Sequence, residues 1–81
     1  MEKNEINHTL TSVFQRVFQE PGLAVTREMT SRDVAHWDSL RHIVMITDVE
    51  NTFAVKFSLR EVMKLKNVGD LIDLIHAKKS S

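Results

Sequence analysis

Apolar side chains recur at Ile6, Leu10, Val13, Phe14, Val17 and Phe18, in steps of one, three and four residues. That period puts them on one stripe of an amphipathic helix, with Glu5, Thr9, Ser12 and Arg16 on other faces. Asn4 has the chemistry of an N-cap and Pro21-Gly22 is a stop signal, so the pattern predicts a helix over residues 5–19. From residue 20 to residue 38 the period is lost. Leu23, Val25, Met29, Val34 and Trp37 are scattered irregularly among polar residues. So long a connection is uncommon in a small domain unless it has work to do. It reads as a loop that wraps the bundle, with room for a brief helical turn inside it and with Trp37 as its last anchor.

Helical spacing resumes at Leu40, Ile43, Ile46, Val49 and Phe53 and predicts a second helix over residues 39–52. Ile43, Met45, Ile46, Val49 and Phe53 are expected to face inward, while Leu40, Val44 and Thr47 make a further stripe. A helix this apolar around its girth is either packed centrally or offers a face to a partner or a bound apolar chain. Phe53, Val55 and Phe57 alternate as in a strand, but no second such segment exists to pair with them, so an extended connector is expected. Ser58 and Glu61 form a capping box, which opens a short helix over residues 59–65 with Leu59, Val62 and Met63 inward. Asn67 then caps a last helix over residues 68–78. Val68, Leu71, Ile72 and Ile75 share one face, and Lys78 and Lys79 stand at the negative end. The fold class is all-α, a four-helix bundle with a long first loop and a short third helix.

Composition narrows the function. Eighty-one residues make one domain, spanning 1–81. Without Cys there is neither a disulfide framework nor a cysteine zinc site. No apolar run is long enough to cross a bilayer, and Met1 to Glu5 does not resemble the start of a signal peptide, so a cytoplasmic location without membrane contact is expected. Eleven Lys and Arg balance eleven Asp and Glu. A nucleic-acid binder would carry a basic excess, so no nucleic-acid partner is expected. Trp37 and four Phe are the only aromatics, which also disfavours base stacking. His8, His36, His42 and His76 lie in different segments with no i, i+4 pair, so no metal site is assigned. Asp38, Ser39 and His42 invite comparison with a hydrolase triad. The G-x-S-x-G elbow is missing, however, and adjacent Asp and Ser point apart on a helix end. No catalytic residue is assigned.

Trp37-Asp38-Ser39-Leu40 is where loop gives way to helix. Asp38 is placed to accept a hydrogen bond from an unpaired amide, and Ser39 takes the first helical position at the positive end of the helix dipole. Either this is an ordinary capped helix start, or it displays a hydroxyl for attaching a phosphate-linked group. The whole order of elements, from Ile6 to Ala77, resembles the acyl carrier protein family. The resemblance rests on Asp38-Ser39-Leu40, on Phe53 closing the second helix, and on Lys66-Asn67-Val68-Gly69-Asp70-Leu71 leading into the last. It implies that Ser39 bears 4′-phosphopantetheine, transferred from coenzyme A by a separate phosphopantetheinyl transferase, and that Asp38 supports this modification. It further implies partner docking at Leu40, Val44 and Thr47 and an acyl pocket near Ile43 and Ile46. The thioester chemistry would belong to the cofactor thiol.

One feature departs from the family. Many carriers are strongly acidic, whereas here Arg41 and His42 follow the motif, and only Asp48 and Glu50 are acidic within the helix. Partner recognition through a more apolar, mixed-charge helix including Arg41 is therefore expected. The resulting expectation is a monomeric, non-catalytic carrier of acyl thioesters. It would serve acyl-transferring and acyl-modifying enzymes of a fatty-acid-like, polyketide or other secondary pathway. The alternatives are an aminoacyl or peptidyl carrier, although those domains more often show Gly-Gly-x-Ser, and an unmodified helical interaction module.

Overall fold

The computed structural model describes residues 2–80; Met1, where the leader reading starts, and Ser81 lie outside the described residues. Four helices follow one another: α1 (Lys3–Val17), α2 (Ser39–Phe53), α3 (Leu59–Met63) and α4 (Val68–Ser80). The described residues contain no strand, and Val55 to Ser58 forms an irregular connector. The first helix starts earlier than its sequence pattern indicates. Glu2, not Asn4, is the N-cap, and its N–H donates to the Glu5 carboxylate at 3.1 Å. Asn4 lies inside the first turn and accepts from the Glu5 amide.

The α1 stripe forms the centre of the core. Ile6, Leu10, Val13, Phe14, Val17 and Phe18 are buried, and α1 packs against both α2 and α4. Met45, Val49 and Phe53 of α2 and Val68, Leu71, Ile72 and Ile75 of α4 complete it. Three of the inward assignments made from periodicity need correction. Ile43 is 63% exposed, because α2 turns only its 45–49–53 stripe, with Ile46 half-buried, toward its neighbours. Leu59 and Met63 are each 75% exposed. The five-residue α3 buries none of its own side chains; Val55 is buried and Phe57 and Leu65 pack against the core on either side of it. Its expected capping box is present, with Glu61 N–H donating to Ser58 Oγ at 3.1 Å and Ser58 N–H to Glu61 Oε1 at 2.8 Å.

The long loop is pinned at both sides. Asn7 and Gln15 of α1 donate side-chain N–H groups to the Val25 and Leu23 carbonyls. On the other side the first amides of α4 bond the loop backbone: Val68 N–H donates to Met29 O at 2.9 Å and Gly69 N–H to Arg27 O at 2.8 Å. Loop carbonyls thus satisfy amides that have no partner within their own helix. The loop contains turns but no helix, while Val25 and Val34 are buried and Leu23, Met29 and Trp37 pack against the core. Outside this contact, Arg27 and Lys3 pair with Asp73 and hold its carboxyl down to about 2, the Arg27 hydrogen bonds acting most strongly.

Cations close two helix ends. Arg41 Nη1 donates to the Val17 carbonyl at 2.6 Å and Lys79 Nζ to the Phe53 carbonyl at 3.0 Å. Both carbonyls lie where a helix presents unpaired acceptors and partial negative charge. The residues that reverse the chain after α1 and α2 are Gln19 (φ 54°) and Ala54 (φ 56°), both left-handed and neither glycine. Their successors complete the stop: Glu20 N–H bonds Gln15 O and Val55 N–H bonds Glu50 O. A non-glycine residue in this region costs about 1 kcal/mol or more. Ala54→Gly is therefore expected to raise stability by about 1 kcal/mol, read as a higher urea midpoint. An unchanged or lower midpoint would contradict the strain at that position.

Candidate functional site

The start of α2 is built by Asp38. Its carboxylate accepts from the Arg41 amide at 2.8 Å, and its carbonyl accepts the first intrahelical bond, from His42 N–H at 2.9 Å. Ser39 is the first residue of the helix and is exposed. The amides of Ser39 and Leu40 precede the first bond of the helical ladder, so the Ser39 hydroxyl stands beside backbone donors at the positive end of a 15-residue helix. An exposed hydroxyl beside such donors is a place that favours a negatively charged group. An open depression lined by Ser31, Trp37, Asp38, Ser39, His42 and Ile43 lies beside the hydroxyl.

Trp37 holds the site against the core. Its ring meets Phe14 edge-on at 5.3 Å and 89°, and Phe18 at 5.3 Å and 42°. Its indole Nε1–H donates to His42 Nδ1 at 3.0 Å, and the two rings stack at 6.0 Å and 17°. Trp37 is the anchor that its position predicts, and its partner is His42, which the sequence offers as a metal or triad candidate and as part of the mixed-charge start of the second helix. The five-residue Trp-to-His spacing across a helix start is the sequence signal of this pair. An Nδ1 that accepts fixes the Nε2–H tautomer in neutral imidazole. His42 therefore cannot also donate through Nδ1 to a carboxylate, and the Asp38 carboxylate is engaged by Arg41 N–H. The geometry is not that of a triad.

Burial pushes the His42 imidazole below its usual range. The unfolded chain then takes up this proton before the folded one does, so the neutral ring contributes stability that is fully present above the ordinary value of about 6.5 and is lost as pH falls. The urea midpoint is expected to be lower at pH 5.5 than at pH 7.5, and a His42→Gln variant should show a smaller difference. An equal difference in the variant would assign the effect to another group.

Of the residues read as partner-binding, Leu40 and Val44 are 69% and 44% exposed and Thr47 is exposed. Ile43 stands beside them, so the α2 surface is broader than expected. Every charged side chain of α2 already has a partner within the chain. Arg41 bonds Val17 O, Asp48 receives both Arg16 and Thr52, and Glu50 accepts from Phe57 N–H at 2.8 Å. What α2 leaves exposed is uncharged, with Leu40, Ile43 and Val44 as its apolar part. Among the described residues no group of three His, Cys, Asp or Glu is placed to hold a metal ion. Among the described residues no helix is long and apolar enough to cross a membrane.

This helical bundle, with a serine displayed at the start of its second helix, defines a carrier-type domain. The family model described as "Phosphopantetheine attachment site" matches residues 8–75, and the chain belongs to that family, that of the acyl carrier proteins. A solved holo acyl carrier protein from Geobacter metallireducens is 42% identical, with a TM-score of 0.85 over 90% of this chain and 84% of that one. A putative acyl carrier protein from Mycobacterium tuberculosis, 23% identical over 93% of this chain and 95% of that one, shares the fold with a TM-score of 0.74. No curated protein sequence matches. The family is defined by a covalently attached 4′-phosphopantetheine and its members act as carriers, generally non-catalytic.

Proposed function

We propose that this chain, as one carrier domain over residues 1–81, bears 4′-phosphopantetheine on Ser39 and shuttles acyl groups between separate enzymes. The observation that carries the reading is the exposed Ser39 hydroxyl at the first position of α2, next to free helix-start amides and the Asp38 cap. Asp38 supports modification by holding that start in shape. When bound, the arm supplies a thiol on which cargo is held as a thioester. The protein's contribution is to present it and, near Ile43 and Ile46, to shelter what it carries.

The partners are a phosphopantetheinyl transferase and acyl-transferring or acyl-modifying enzymes. They meet Leu40, Val44 and Thr47, with Arg41 at the margin because one of its guanidinium nitrogens is given to Val17. Asp38-Ser39-Leu40, in place of the Gly-Gly-x-Ser commoner in aminoacyl and peptidyl carriers, favours acyl cargo. The pathway is a fatty-acid-like, polyketide or other secondary one. The chain works as a cytoplasmic monomer, without metal, membrane or nucleic-acid contact. Incubation with coenzyme A, Mg²⁺ and a broad-specificity phosphopantetheinyl transferase should add one phosphopantetheinyl group by intact mass, and none to Ser39→Ala. No addition to the wild-type chain would leave an unmodified interaction module as the better reading.

A further inference from the structure

His42 uses only one of its ring nitrogens within the chain. Trp37 Nε1–H is a donor only, so the nitrogen it meets at 3.0 Å, Nδ1, has to be bare. The proton of the neutral imidazole is then on Nε2, on the side of the ring away from the indole. Among the described residues Nε2–H meets no acceptor. No buried side-chain nitrogen is left without a partner, so this N–H opens to solvent rather than into the core.

The ring stands close to the attachment hydroxyl. His42 follows Ser39 by three residues on α2, which puts the two on one face of the helix. Helical side chains lean toward the N-terminus, so the imidazole leans back over the turn that Ser39 begins. Both residues line the same open depression. Trp37 fixes the ring there, since Phe14 and Phe18 hold the indole from the core side. Burial alone pushes the titration of His42 below its usual range, and no charged side chain acts on it.

Resting on the reading of Ser39 as the attachment site, we propose that His42 is a binding residue for the phosphodiester of the arm, donating from Nε2 to one of its oxygens while Trp37 orients the ring through Nδ1. The neutral tautomer offers this donor without taking up a proton, and the helix-start amides remain for other oxygens. The contact holds the first bonds of the arm against α2 and leaves the thiol end free to travel. The charged groups around the ring are few. Asp38 shares the depression and is engaged by Arg41 N–H, the Arg41 guanidinium is given to Val17 O, and Lys66 borders a second hollow that His42 also lines. These charges are the same before and after loading, so they cancel when the two forms are compared.

The full chain is compared before and after loading from coenzyme A by the transferase, with one added group required by mass and none on Ser39→Ala. Failure at that step removes the attachment reading and this proposal with it; the later steps bear on His42 alone. The histidine rings and the phosphodiester are then titrated by proton and phosphorus NMR. The His42 midpoint is expected to rise by about half a pH unit or more on loading, because a nearby anion favours the charged imidazole. His8 on α1 and His76 on α4 should keep theirs. The phosphorus signal should move at the His42 midpoint, and this step should vanish in His42→Phe, which keeps a ring without nitrogen. Above both midpoints the nitrogen signal of Nε2 should shift on loading, while that of Nδ1 stays in place. An unchanged His42 midpoint, or a phosphorus step that persists in His42→Phe, overturns the proposal. So does a raised midpoint with the Nε2 signal unmoved, which would mean that the phosphate acts from a distance. The wild-type comparison decides even if the variant does not fold.

Discussion

Phe14→Ala is expected to cost about 3–5 kcal/mol, the largest effect of any single truncation in this chain. A domain of 81 residues has in total about 4–12 kcal/mol to lose, so the variant is expected to be largely unfolded or close to it. Phe14 is fully buried and meets two rings, Phe18 at 5.4 Å and Trp37 at 5.3 Å. Removing it leaves a cavity at the junction of α1, the long loop and the start of α2. The loss reaches Ser39 because Trp37 is the loop's last anchor before Asp38. Urea unfolding followed by helical circular dichroism and by Trp37 fluorescence reports both consequences. A loss below about 1 kcal/mol would show that the core can collapse around the missing ring.

Gly69→Val is expected to cost about 1–3 kcal/mol, by overpacking rather than by loss of a contact. Gly69 is buried within α4, and a Cβ there would lie 3.1 Å from the Arg27 carbonyl oxygen and 3.2 Å from Arg27 Cβ. Helix propensity pulls the other way, since replacing a helical glycine gains up to about 1 kcal/mol for alanine and less for valine. For alanine the two effects nearly offset. Valine adds two further methyl groups with less propensity gain, and the clash dominates. The loop must retreat, and the bonds from the Val68 and Gly69 amides to the Met29 and Arg27 carbonyls lengthen. Faster hydrogen exchange at the amides of residues 68 and 69 should accompany a lower urea midpoint. Unchanged protection there would mean that the loop adapts without leaving α4.

Local rules carry the sequence a long way here. The α1 stripe, the Asp38 cap, the Ser58–Glu61 capping box and the connector after Phe53 all follow from interactions within a few residues, which pattern and chemistry report directly. The misassigned residues share a cause. Ile43, Leu59 and Met63 sit at helical spacing, but periodicity defines a face only relative to its own helix and does not say whether another element covers it. The α1 start lies two residues before the one the pattern predicts because Asn4 and Glu2 both have acceptor side chains, and the Glu2–Glu5 pairing decides between them. Long-range bonds were invisible for a different reason. Arg41 to Val17 spans 24 residues, and Val68 and Gly69 meet the loop some 40 residues away, so no local pattern encodes them. The same holds for the pairing that neutralises the outward face of α2. Composition shows a balanced charge, but only the fold shows that each α2 charge is already engaged.

If Ser39 alone carries the arm, as proposed, fragmentation mass spectrometry of the wild-type chain after loading from coenzyme A will place the added mass on Ser39 and on no other residue. Its appearance on Ser31, Ser58 or any other side chain would contradict the assignment even if the chain as a whole were modified.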